Sequence, residues 1–186
     1  KTLFEETLDC ERLQHGHPSG IDPYASVYGG CLRYRSSASI EAQTGGWDEI
    51  VLAHSGEPRC STGECVSQVK KEHETSGIWS EFEQTSTLLE AAWNQRNRTA
   101  LIAAMRANHR LLVRIGVVPG RVRQYVNNIE KAGGAAKICG AGAVRGDGGG
   151  MVWIMGAGDE EHAPGGDEFP RLCVRQRLPA ARPQIR

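Results

Sequence analysis

The sequence predicts an α+β fold in which short strands flank a long helical block. Two observations carry this expectation. Strand-like segments cluster in the first third and again after residue 134, whereas residues 62–132 read as successive helices. The character of the chain also changes near Gly56, which divides it into an expected first portion, 1–55, and a second, 56–186. With 186 residues in all, a sizeable core can be buried.

In chain order, Leu3, Phe4, Leu8 and Leu13 among charges fit the closing turns of an amphipathic helix. His15 to Gly20 is a loop. Asp22-Pro23 suits a helix start, with Asp as N-cap and Pro as first helical residue, running to Tyr28 and stopped by Gly29-Gly30. Cys31 to Arg35 alternates like a strand, residues 36–48 suit a hairpin region, and Ile50 to Ala53 reads as a short buried strand. Thr62 is the expected cap of a helix with Cys65, Val66 and Val69 on one face. Longer helices are expected over Ile78–Gln95 and Thr99–Ile115. Another starts at Pro119, with Val122, Val126 and Ile129 on one side, and ends at Gly133-Gly134. Ala135–Cys139, Met151–Met155 and Leu172–Val174 read as strands, and residues 156–168 as loop. The tail beyond Glu168 has arginines and no acid, which suits a solvated end.

Charge narrows the function. Lys plus Arg is 22 and Asp plus Glu is 22, so nothing in bulk draws the chain to nucleic acid or an anionic membrane. No apolar run approaches the ~20 residues of a membrane helix. The six cysteines form no CxxC pair, and only Cys60, Cys65 and His54 make a loose cluster. Reduced thiols in a cytoplasmic protein are expected. The chain opens on Lys1 among helix-like residues, which reads as a piece of a longer protein.

Two stretches carry chemistry. Residues 137–150 read KICGAGAVRGDGGG. No Lys-Ser or Lys-Thr follows the glycines, so this is not a Walker loop, and the following MVWIM strand excludes a dinucleotide fingerprint. A flexible hairpin and a backbone anion site both remain open; the tight Gly-Ala-Gly core beside Lys137 favours the second. Residues 15–30 read HGHPSGIDPYASVYGG. The serine register is wrong for a hydrolase elbow, and the two histidines lack the spacing of a helical zinc site. Asp22 is either a plain helix cap or an exposed acid able to take a proton from a hydroxyl.

Together these segments resemble the GHMP kinase superfamily, and the mevalonate kinases most closely. The resemblance rests on HGHPSGIDPYASVYGG with its GGCLRYR continuation, on Pro58-Arg59 with Thr62, on Asn108 with Leu111-Leu112 and Ile115-Gly116-Val117, and on KICGAGAVRGDGGG. These fall in the family's order over roughly residues 11–155. The resemblance implies that residues 56–186 form the superfamily's C-terminal domain, a ferredoxin-like α/β sandwich. Residues 1–55 would be the distal strands and helix of its N-terminal domain.

It further implies ATP-dependent phosphoryl transfer to the hydroxyl of mevalonate, in isoprenoid precursor synthesis. Asp22 is then the catalytic base; His17, Ser19, Gly20 and Thr62 border the substrate; Gly140, Ala141 and Gly142 line the phosphate side. ATP and Mg2+ would be held mainly by an N-terminal half outside this chain, with no metal ligand here, so this portion alone is expected to be inactive. A small-molecule partner and a homo-oligomer are implied, without nucleic acid or membrane. Three departures stand out: Cys139 where the family usually has Thr, Val118 where a Ser often precedes Pro119, and a third motif split by Ala143–Asp147. Other superfamily members, phosphomevalonate or homoserine kinase, and a truncated non-catalytic binding module are the alternatives.

Overall fold

The computed structural model describes residues 1–15, 19–36, 39–42, 47, 49–156 and 169–175. These form two compact units, one within Lys1–Gly46 and one within Trp47–Gln176.

The first unit holds α1 (Leu3–His15), α2 (Ile21–Tyr28), and the antiparallel strands β1 (Leu32–Ser36) and β2 (Ser39–Ala42). The start of α1 is capped reciprocally: the Thr2 N–H donates to Glu5 Oε2 (2.7 Å) and the Glu5 N–H to Thr2 Oγ1 (3.3 Å). Segment 1–14 is therefore a capped helix start rather than only closing turns. Phe4 packs on Tyr24 and Tyr28, with ring centroids 5.9 and 6.2 Å away, and Pro23 and Tyr24 are buried beneath. Asp9 pairs with Lys1 and Arg12 on an exposed face, where solvent screens the attraction.

The second unit is built on one antiparallel sheet. Its strands are β3 (Glu49–His54), β4 (Ala135–Ile138), β5 (Met151–Met155) and β6 (Arg171–Arg175), in spatial order β4-β5-β3-β6. Four helices intervene between β3 and β4: α3 (Thr62–His73), α4 (Ile78–Asn94), α5 (Arg98–Arg114) and α6 (Gly120–Lys131). Because β3 pairs with both β5 and β6, it belongs to this sheet. The units divide between residues 46 and 47, whereas the sequence placed the change near Gly56 and left β3 in the first portion.

Helix α6 shows why the sheet is covered. Val122, Tyr125, Val126 and Ile129 recur at i, i+3, i+4 and i+7 and are fully buried, alongside Ala136, Ile138 and Val152 of the sheet. Phe169 meets the Tyr125 ring edge-on at 4.7 Å, and the Arg121 guanidinium lies over the other ring partner, Phe169, at 4.7 Å. Arg106 of α5 donates to the carbonyls of Glu130 and Gly134, satisfying acceptors at the open end of α6. Arg114 ties α5 to α4 by a bidentate pair with Glu81, 2.5 and 2.9 Å. No described helix is long and apolar enough to cross a membrane.

Two helix starts differ from expectation. Ser61, not Thr62, caps α3: its hydroxyl accepts from Glu64 N–H (3.2 Å) while Glu64 returns a bond to Ser61 N–H (2.7 Å). The glutamate three residues on selects serine as the cap, since only that register closes a capping box. Asp22 is likewise not the cap of α2. Gly20 takes that place in the left-handed region (φ 88°), which starts the helix earlier and leaves Asp22 in the first turn.

Ser61→Ala should cost about 1 kcal/mol in urea unfolding, because the Glu64 N–H loses its hydroxyl acceptor while the backbone bond from residue 61 to the Glu64 carboxylate remains. Buried His109 gives a pH signature. Burial, then the positive charges of Arg110, Lys137 and Arg123, lower its pKa from 6.5 to about 4. The unfolded chain therefore binds more protons between these values. The stability of neutral His109 is intact above about pH 6.5 and is lost as pH falls toward 4, by up to about 3 kcal/mol. His109→Gln should flatten this slope in unfolding measured at pH 7 and pH 4.5; an unchanged slope would assign it to other groups.

Candidate active site

The glycine loop runs from Cys139 to Gly150 between β4 and β5 and is held at both ends. The Cys139 N–H donates to the Met151 carbonyl (2.8 Å), and the Gly150 N–H to the Gly56 carbonyl (3.0 Å). Ser55 is buried at the end of β3; its hydroxyl accepts from Gly149 N–H (3.0 Å) and donates to the Gly150 carbonyl (2.8 Å). A flexible hairpin does not describe this segment.

Glycine is required here by packing. Gly142 has φ 69°, and a Cβ on it would overlap the Val117 carbonyl oxygen. A Cβ on Gly149 would overlap the Ile138 side chain, and one on Gly148 would lie 2.6 Å from the Glu57 carbonyl oxygen. The inserted residues also have a definite path. The Ala143 N–H donates to Val117 O (2.8 Å), and Arg145 donates to the Arg59 carbonyl (2.8 Å) and to Glu64 (2.6 Å). Arg145 is thus a clamp between the loop and the start of α3. The Arg145 charge and the Ser61 bonds hold the Glu64 carboxyl below its usual range, the Ser61 backbone bond being the largest cause.

Gly140 and Gly142 are both left-handed (φ 71° and 69°), with Ala141 between them. The Gly140-Ala141 turn is closed by the Gly142 N–H toward the Cys139 carbonyl, whereas among the described residues none accepts a hydrogen bond from the N–H of Gly140 or Ala141. Gly140 and Ala141 border a cavity of about 430 Å³, whose other walls include Cys65 and Val69 of α3, Trp79 of α4, and Ile115 and Val117. Lys70 and Glu74 are its charged lining residues. Successive unpaired backbone N–H groups at a left-handed glycine and its neighbour form a concavity that suits an anion.

Lys137 takes no part in this wall. Its ammonium donates to the Ile138 carbonyl (3.0 Å), and burial pushes its pKa down. Thr62 is the exposed first residue of α3, next to the cap that Arg145 joins to the loop. Cys60 and Cys65 do come together, with sulfurs 3.3 Å apart, whereas His54 faces Glu57 at 3.5 Å. Among the described residues no group of three or more His, Cys, Asp or Glu could hold a metal ion.

The remaining candidates lie in the first unit. Asp22 is exposed, and its carboxylate has no hydrogen-bond or ion-pair partner among the described residues. Ser19 and Gly20 shape the turn into α2: the Ser19 hydroxyl accepts from Ile21 N–H (3.4 Å), and the Tyr34 hydroxyl of β1 donates to the Ser19 carbonyl. His17 lies outside the described residues. The signals missed in the sequence were Arg145 and Ser55. Arg145 sat in what looked like an interruption, and Ser55 had no motif around it.

No family model matches the sequence, and no curated protein matches it. Solved structures do. Methanococcus jannaschii mevalonate kinase has 18% identity and a TM-score of 0.76, over 95% of this chain and 58% of that one. L. major mevalonate kinase in complex with R-mevalonate has 23% identity and a TM-score of 0.68, over 87% and 54%. Streptococcus pneumoniae phosphomevalonate kinase, in complex with phosphomevalonate and AMPPNP, has 18% identity and a TM-score of 0.54, over 63% and 35%. In fold, the chain is similar to mevalonate kinases of the GHMP superfamily, and it spans little more than half of their length.

Proposed function

We propose that this chain is the C-terminal portion of an ATP-dependent small-molecule kinase, with the hydroxyl of mevalonate as phosphoryl acceptor. The observation that carries the reading is the turn at Gly140–Gly142: two successive N–H groups, of Gly140 and Ala141, without an acceptor among the described residues, beside a cavity that both residues line. Phosphate oxygens would satisfy those donors, and the open space where a Cβ would stand at Gly140 allows close approach. The fold likeness to mevalonate kinases supports this substrate, and AMPPNP in the phosphomevalonate kinase supports ATP as donor. The antiparallel order β4-β5-β3-β6 supports reading the second unit as a split β-α-β, ferredoxin-like domain.

Each residue then has a physical task. ATP, when bound, supplies the transferred phosphoryl group. Gly140 and Ala141 direct N–H dipoles at phosphate oxygens and hold them, with Gly142 closing the turn that presents them. Asp22, exposed and unpaired among the described residues, takes the proton of the acceptor hydroxyl. In the same reading His17, Ser19, Gly20 and Thr62 border the substrate. Phosphoryl transfer depends on positioning and on charge neutralisation by metal and cations. The Mg2+ ligands and the rest of the nucleotide site are proposed to lie outside this chain.

Two measurements test this. In the longer protein carrying this chain, Asp22→Asn should lower kcat for mevalonate phosphorylation by about 10²–10⁴-fold while thermal unfolding is unchanged; retained turnover would remove Asp22 from the chemistry. The chain alone should show no ATP turnover and no micromolar ATP binding by calorimetry. Tight binding by the isolated chain would contradict the division of the nucleotide site.

A further inference from the structure

Cys60 and Cys65 flank the start of α3, one residue before the Ser61 cap and one turn into the helix. These are the positions at which a pair of apolar side chains usually packs beside a capping box. Here the same local geometry brings two sulfurs to 3.3 Å. Cys60 is half-buried, whereas Cys65 is buried and directs its thiol toward the Gly142 carbonyl (3.7 Å). Neither is in a disulfide.

We propose that Cys60 and Cys65 are an oxidisable dithiol, converted by hydrogen peroxide into an intramolecular disulfide that alters the glycine loop. The placement favours division of labour. Burial pushes both thiols up, but at Cys60 the neighbouring Cys65 thiol and the N–H groups of Val144 and Arg145 outweigh it and lower the pKa. Cys60 is thus the nucleophile and Cys65 the resolving thiol. The Cys60 thiolate attacks one peroxide oxygen; the O–O bond breaks, Cys60 becomes a sulfenic acid, and hydroxide leaves to be protonated to water. The Cys65 sulfur then attacks the Cys60 sulfur, its proton goes to the departing oxygen, and a second water leaves. Two thiols are oxidised and one peroxide is reduced.

The loop registers this change because both sulfurs already touch it. The disulfide removes the thiolate that accepts from Val144 and Arg145 and the S–H that points at Gly142 O. Residues 142–145 therefore lose sulfur contacts directly after the Gly140–Ala141 wall of the cavity. The dithiol chemistry holds whether or not the chain belongs to a kinase.

The test treats the reduced chain with graded hydrogen peroxide, alkylates remaining thiols after denaturation, and maps tryptic peptides. The peptide Cys60–Lys70 should lose both alkylation sites together and weigh two hydrogens less. In Cys65→Ser, Cys60 should stop at a sulfenic acid trapped by dimedone; in Cys60→Ser, Cys65 should remain a thiol. Amide hydrogen exchange at Val144 and Arg145 should quicken in the oxidised chain. Recovery of both residues as alkylated thiols, or a bridge from Cys60 to another cysteine, would overturn the dithiol. Unchanged exchange at residues 142–145 would overturn its action on the loop.

Discussion

The second unit depends on close backbone packing around the glycine loop. Gly142 lies under the Val117 carbonyl, Gly148 against Gly56 and Glu57, and Gly149 against Ile138 and Pro119. At each contact there is no space for a Cβ. The loop therefore draws together the turn before α6, the end of β3 and the segment leading to α3. Ser55 satisfies two loop backbone groups from below, and Arg145 fastens the loop to the capping box of α3. Buried polar bonds and missing side chains act together here. The glycines allow the approach, and Ser55 provides hydrogen bonds that compensate for desolvated amides.

Such fixation explains how a loop can be a site. Its middle and far end are hydrogen-bonded to the scaffold, which limits the entropy that a ligand must remove. Gly140 and Ala141 have N–H groups without an acceptor among the described residues, and both residues line the cavity. The neighbouring clamp of Arg145 on Glu64 uses a cation structurally.

Much of the fold was legible because hydrophobic period and glycine punctuation agree. The α6 stripe at Val122, Val126 and Ile129 fixed both the helix and its buried face, and Met151–Met155 stood out as an apolar run between glycines. Helix starts were less legible. Thr62 and Asp22 both have cap-like side chains, yet Ser61 won through its partnership with Glu64, and Gly20 won through a left-handed turn that no side chain announces. The partnership of β3 was also hidden, since its partners in β5 and β6 lie far along the chain, as in Val51 with Ile154 and Glu49 with Arg175. At the site, the Gly-Ala-Gly core was visible as a motif; Ser55 was not, because its role exists only through contacts distant in sequence.

The most direct test of the account is an amide NMR titration of the chain with ATP at millimolar concentration. The account predicts shifts centred on Gly140, Ala141 and Gly142, and their disappearance in Gly142→Ala. Uniform weak shifts over the surface, or shifts that bypass residues 140–142, would contradict it.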